Sequence, residues 1–119
     1  MIKVAVTGAA GRMGSGIIRK ISEQDDMEVV AAIEMPKTPL AGKDAGLQAG
    51  IDELGVEIVG SESLEDVLKS SGADVLMDFT IAPAAANAIK VATSCGVGVV
   101  VGTTGFTEEQ MAENIKNVK

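Results

Sequence analysis

The sequence predicts an α/β fold, a doubly wound parallel sheet, and three observations carry that prediction. Five short apolar runs are spaced along 119 residues, separated by segments of helical spacing and, once, by an irregular stretch. The runs are mostly apolar rather than apolar at alternate positions, the pattern of strands covered on both faces. A glycine-rich turn joins the first run to the first helix. Strand, helix, strand repeated in this way gives right-handed crossovers and helices on both faces of one sheet.

The first strand is Met1 to Thr7. Residues 12–23 then place Met13, Ile17, Ile18 and Ile21 on one side and Arg12, Ser15, Arg19, Lys20, Ser22 and Glu23 elsewhere, which is helical spacing. Asp25 and Asp26 break it, and Met27 to Glu34 is the second strand. From Met35 to about Asp52 the pattern dissolves among Pro36, Pro39, Gly42, Gly46 and Gly50, an excursion too long for a plain connection and expected to be a functional flap or surface loop. Val56 to Val59 is a short third strand. Ser63 is expected to cap a helix with Leu64, Val67 and Leu68 inward, Asp66 three residues after the cap and Gly72 at its end.

Asp74 to Thr80 is the fourth strand. Pro83 opens a helix from Ala84 to Ser94 that stops at Gly96, its alanines allowing close approach to the sheet. Val97 to Val101 is the fifth strand and Gly102 to Phe106 the turn after it. Thr107 with Gln110 forms a capping box for a last helix carrying Met111, Ile115 and Val118. Such folds usually run on into another strand where this chain stops, which predicts that it is a piece of a longer protein.

Composition removes whole classes of function. Lys plus Arg is 10 and Asp plus Glu 17, a net charge of −7 with no basic cluster, which argues against a nucleic-acid or anionic-membrane surface. The chain has no His, so imidazole bases and His-ligated zinc are excluded, and its lone Cys95 allows no internal disulfide. Cys95 reads as a small packing residue. No apolar run approaches the roughly 20 residues of a membrane span. No signal-peptide pattern precedes the first strand, and a cytoplasmic globular domain is expected.

The strongest local signal is Gly8-Ala-Ala-Gly11-Arg-Met-Gly14 between the first strand and the first helix. Glycines there let the chain reverse tightly, let backbone N–H groups approach a pyrophosphate at the helix N-terminus, and let helix and strand pack closely. The G-x-x-G-x-x-G spacing is also compatible with a purely structural turn. Glu34, 20 residues after Gly14 at the end of the second strand, can accept the hydroxyls of an adenosine ribose. Gly102-Thr103-Thr104-Gly105 follows the fifth strand and so lies on the same sheet edge, where small and hydroxyl residues suit a ribose or nicotinamide. Asp74 and Asp78, four apart on one strand, admit a paired-carboxylate reading, although Asp78 better suits fixing loops through backbone hydrogen bonds. Lys37 and Lys43 read as solvated.

Val4 to Gly14, Gly42-Lys-Asp-Ala-Gly46, Asp78-Phe-Thr80 and Gly102-Thr-Thr-Gly-Phe106, in this order and at these spacings, resemble the amino-terminal half of the dihydrodipicolinate reductase family. The resemblance implies a Rossmann-like cofactor domain over residues 1–119. It implies a reduction by NADH or NADPH in the diaminopimelate route to lysine, and full-length homo-oligomers. The same resemblance places Gly8, Ala9, Ala10, Gly11, Arg12 and Met13 at the pyrophosphate, Glu34 at the adenosine ribose, and Thr80, Gly102, Thr103 and Thr104 on the nicotinamide side. Catalytic and substrate-binding residues, including a His pair and a Lys, belong in that family to a second domain beyond residue 119, so this chain alone is expected to hold cofactor without turning over. The family often has a basic residue directly after the ribose-binding acid, and often Pro second after Asp-Phe-Thr. Here Met35-Pro36 follow Glu34, which favours NADH over NADPH, and Ile81-Ala82 precede Pro83. A cofactor domain of homoserine or aspartate dehydrogenase type, and a stand-alone dinucleotide sensor, are the alternative readings.

Overall fold

The computed structural model describes residues 1–80, 84–102 and 108–118. Five parallel strands form one sheet: β1 (Ile2–Thr7), β2 (Met27–Glu34), β3 (Ile58–Gly60), β4 (Val75–Asp78) and β5 (Gly98–Val101), in the spatial order β3-β2-β1-β4-β5. The helices are α1 (Arg12–Ser22), α2 (Ala45–Gln48), α3 (Leu64–Ser71), α4 (Ala84–Ser94) and α5 (Glu108–Val118). Strand order runs one way from β1 through β2 to β3 and the other way from β4 to β5. The direction of winding therefore reverses between β1 and β4, where the carboxyl ends of an open sheet leave a crevice.

The two layers of helix are specified by side-chain alternation. Val4 and Val6 of β1 with Val75 and Met77 of β4 face a cluster with Ile17, Ile18 and Ile21 of α1 and Ile115 of α5. Ala5 and Leu76 point the other way, to Leu64 and Leu68 of α3 and to Ala88 and Ala92 of α4. In β2, Met27 and Val29 face the α1 side, yet Ala31 faces α3 and Ala32 faces α1 again. The pairing with β1 slips between Val4 and Ala5, so Val30 is an extra residue in the ladder. A one-residue bulge inverts the alternation downstream, and it is this phase change that sets the end of β2.

Several boundaries differ from the sequence expectation. The third strand starts at Ile58, because residues 56 and 57 are drawn into the preceding loop. Ser63 makes no side-chain cap, since a 3-10 turn, Ser61–Ser63, leads directly into α3. Gly72 does end α3 in the left-handed conformation, at φ 68°. Of the alanines in α4 only Ala88 and Ala92, one turn apart, are buried. The capping box at Thr107 lies outside the described residues.

The excursion after β2 is organised by one carboxylate. Asp44 caps the single turn α2 by accepting from the Leu47 N–H at 3.0 Å, and it also accepts from the N–H groups of Leu54 (3.0 Å), Gly55 (2.8 Å) and Val56 (3.1 Å). Gly46 passes so close to the returning chain that a Cβ there would lie 2.8 Å from Leu54 Cγ. Ala45 and Ala49 join the α1-side core, so the excursion is a packed surface loop rather than a flap over the crevice. Burial raises the Asp44 carboxyl pKa, but the four backbone donors outweigh it and hold the group below its ordinary 3.8. A depressed folded pKa contributes stability that is complete above the unfolded value and is lost as pH falls through the folded one. Asp44→Ala is expected to lower Tm by several degrees at neutral pH. The gap between the two proteins should hold down to about pH 4 and close only below it, as thermal melts across pH will show.

Candidate functional site

The glycine turn is held by backbone bonds and by close approaches that glycine permits. Gly8 sits at φ +69°, a left-handed conformation open to glycine, and a Cβ there would press to 3.2 Å from Phe79 Cβ. The turn closes through the Gly11 N–H to Gly8 oxygen at 3.1 Å. It is tied to β2 by the Ala9 N–H on the Ile33 oxygen (3.2 Å) and to α1 by the Ser15 hydroxyl on the Ala9 oxygen (3.2 Å). At Gly14 a Cβ would clash with the Gly8 oxygen and lie 2.8 Å from the Gly8 carbonyl carbon, so the third glycine is what lets α1 pack on the turn.

Glu34 is half-buried at the end of β2 and reaches back across the turn. Its Oε2 accepts from the Ala10 N–H at 2.7 Å. The two strongest sequence signals, 20 residues apart, are therefore one physical unit. Their joining also changes the accounting of donors: the N–H groups of Ala9, Ala10 and Gly11 are used inside the protein. Among the described residues that leaves the N–H groups of Arg12, Met13 and Gly14 at the mouth of α1, of which Gly14 is buried. Among the described residues no side chain caps this helix, and its first turn holds no acidic residue, so it presents a positive end to an anion. Ala9 is 2% exposed and offers no side-chain surface, whereas Gly11 and Arg12 are exposed.

Beside the turn, on the α3–α4 side of the sheet edge, lies a cleft of about 720 Å³. Gly8, Glu34 and Thr80 bring predicted site residues to it, and Ile33, Leu64 and Ala88 give it an apolar wall. Met35, 64% exposed, and Pro36 form its rim. This wall was not singled out in the sequence, because Leu64 and Ala88 read only as the inner faces of helices. Their place in the first turns of α3 and α4, Leu64 at the start of one and Ala88 a turn into the other, is the signal that could have found them.

Gly102 lies one strand further along the edge. Its N–H donates to the Asp78 oxygen at 2.7 Å, and a Cβ on it would strike the Phe79 ring. Thr103 and Thr104 lie outside the described residues. Asp78 ends β4, is wholly buried, and accepts on one oxygen from the hydroxyls of Thr7 and Thr80 and from the Thr80 N–H. Asp74 precedes β4 at the opposite end of the strand, about 13 Å away at strand rise, with its Oδ2 accepting from the Lys3 N–H. The paired-carboxylate reading therefore fails on distance.

Comparison with known proteins follows the same lines. The sequence profile of the family described as "Dihydrodipicolinate reductase, N-terminus" matches residues 2–119. The 4-hydroxy-tetrahydrodipicolinate reductase of Methanobrevibacter smithii is 78% identical over all 119 residues, and the chain spans 44% of that protein's length. Among solved structures, a dipicolinate-bound dihydrodipicolinate reductase from Paenisporosarcina sp. TG-14 superposes with a TM-score of 0.64 at 26% identity, over 95% of this chain and 41% of that one. The NADH complex of the protein RSP superposes at 0.69 with 17% identity, over 87% of this chain and 47% of that one, a likeness of fold.

Proposed function

The chain belongs to the dihydrodipicolinate reductase N-terminal family, and on that premise we propose that it is the dinucleotide-binding domain of a 4-hydroxy-tetrahydrodipicolinate reductase. The whole enzyme reduces a dihydrodipicolinate-type intermediate with NADH or NADPH on the diaminopimelate route to lysine, as a cytoplasmic homo-oligomer. The family match favours this over a cofactor domain of homoserine or aspartate dehydrogenase type. A single observation carries the dinucleotide reading: the bond from the Ala10 N–H to Glu34, which locks the glycine turn and the ribose-binding acid into one cradle.

The residues fit the cofactor. Pyrophosphate meets the N–H groups of Arg12 and Met13 at the positive end of α1. Glu34, held on one oxygen by Ala10, keeps the other for a ribose hydroxyl, and Ile33, Met35 and Leu64 cover the adenine. Thr80 and Gly102 serve the nicotinamide side, and the family resemblance assigns Thr103 and Thr104 to the same role. When bound, the cofactor supplies a hydride; the chain's own part is to bind it, orient it and shield its adenosine end from water. Substrate contacts and proton donors fall to the rest of the longer protein, so this chain alone does not turn over.

The Ala10 bond also supports a preference for NADH over NADPH. A free glutamate could rotate away from a 2′-phosphate, but one pinned at 2.7 Å stays against it. Two negative groups in contact repel by about 1 kcal/mol in water and by more in a partly dry cleft. Lys37, exposed and three residues on, is a cation that offsets part of this. NADH should therefore bind about tenfold more tightly than NADPH, a difference of ~1.4 kcal/mol. The double variant Glu34→Gln with Met35→Arg should narrow or reverse that order. Calorimetric titration of both cofactors into both proteins tests the reading, since the chain has no Trp to report binding. Absence of binding by the unmodified chain overturns the function, and tighter binding of NADPH overturns the preference.

A further inference from the structure

The dinucleotide reading leaves one buried group unexplained. Asp78 stands where the winding of the sheet reverses, paired in register with Thr7 on β1 and Val101 on β5. It is fully buried, and among the described residues its carboxylate accepts on Oδ1 alone: from the Thr80 hydroxyl at 2.6 Å, the Thr80 N–H at 3.2 Å, and the Thr7 hydroxyl. Its Oδ2 is buried and, among the described residues, has no hydrogen-bond partner. Both threonines line the cleft, Thr7 only 2% exposed and Thr80 half-buried at the surface of the site.

A hydroxyl has one proton to donate and two lone pairs with which to accept. Thr80 spends its proton on Asp78, and Thr7 directs its own either to Asp78 or to the Met77 oxygen at 3.4 Å, inward in both cases. What these hydroxyls offer to the cleft is therefore lone pairs alone. Resting on the dinucleotide reading, we propose that Asp78 is a positioning residue that makes Thr80 an obligate acceptor. This end of the cleft then takes a ligand group that donates, a ribose hydroxyl or a carboxamide NH2, and repels a phosphate oxygen. With donors wanted at Thr80 and an anion wanted at α1, the two polar ends of the crevice have opposite demands. That opposition sets the direction in which a dinucleotide can lie.

Titration calorimetry with NADH and with its 3-acetylpyridine analogue, in which a methyl group replaces the amide NH2, tests this. Thr80→Val keeps the shape and removes the acceptor, and should weaken NADH about tenfold. Asp78→Ala should weaken it to the same degree, and adding Thr80→Val to Asp78→Ala should change little more, because one acts through the other. Asp78→Asn keeps an acceptor oxygen for the Thr80 hydroxyl and should restore affinity to within about threefold, although its NH2 finds no acceptor and lowers Tm. A merely structural role would instead make affinity follow Tm.

The two ligands separate the sources of the donor. If the carboxamide supplies it, the analogue binds the unmodified chain about tenfold more weakly and Thr80→Val holds both alike. If a ribose hydroxyl supplies it, the unmodified chain holds both alike and Thr80→Val weakens both. Undiminished NADH binding by Thr80→Val, Asn at 78 behaving as badly as Ala, or full additivity of the losses at 78 and 80 overturns the proposal. An unmodified chain that binds neither NADH nor NADPH overturns the dinucleotide reading itself, and this one with it.

Discussion

Gly14→Ala is expected to destabilise the domain by about 2–3 kcal/mol, near the upper end for overpacking, and to lower Tm by roughly 10 °C. The added methyl would collide with the Gly8 oxygen and lie 2.8 Å from the Gly8 carbonyl carbon and 3.0 Å from Ala9 Cα. All of these are backbone atoms of the turn itself. Relief requires α1 to move off the sheet, yet Ile17, Ile18 and Ile21 are fully buried and resist that shift. Thermal and denaturant melts measure the loss, and a Tm within a degree or two of the unmodified protein would show that the turn opens at little cost.

Gly11→Val should do the reverse, leaving the fold and abolishing binding. Gly11 lies at φ −72° and ψ 170°, an extended backbone that a β-branched residue adopts readily. The position is exposed, and among the described residues a Cβ there meets only the Gly8 oxygen, at 3.3 Å, a tight contact that a small shift at this exposed turn relieves. Tm should therefore change little. The valine stands beside the N–H groups of Arg12 and Met13 and excludes the pyrophosphate, so NADH affinity should drop at least about a hundredfold, ~2.7 kcal/mol. Full binding by a folded Gly11→Val protein would falsify the assignment of this turn to the cofactor. Two glycines of one motif, three residues apart, are thus required for different reasons, and Tm and Kd distinguish them.

Local chemistry made much of this legible in the chain itself. Mostly apolar runs mark the five parallel strands, helical spacing marks α1 and the inner face of α3, and Pro83 with Gly96 brackets α4, because burial of one helix face is written in period 3.6 and burial of both strand faces in a lack of polar alternation. The glycine turn and Glu34 could be paired by their spacing, since the length of one strand–helix–strand unit is nearly constant. The tight turn expected at Gly8 and the helix end expected at Gly72 both fall in left-handed backbone, which glycine adopts at the least cost.

Other features depend on contacts between residues far apart in sequence. The Val30 bulge arises from packing against β1, and no local signal marks it. Asp44 gathers donors up to 12 residues away, so Gly42 to Gly46 reads locally as a loose loop although it is a bonded knot. Asp78 shows the same limit most clearly. Taken alone it is an acid at a strand end, open to pairing with Asp74. Only the sheet order β2-β1-β4 sets it beside Thr7, 71 residues away, and buries it where the winding reverses. Propensity and periodicity act over a few residues, which is why they specify elements and turns. The polarity of a site is decided by which strand ends become neighbours, and that is a property of the folded sheet alone.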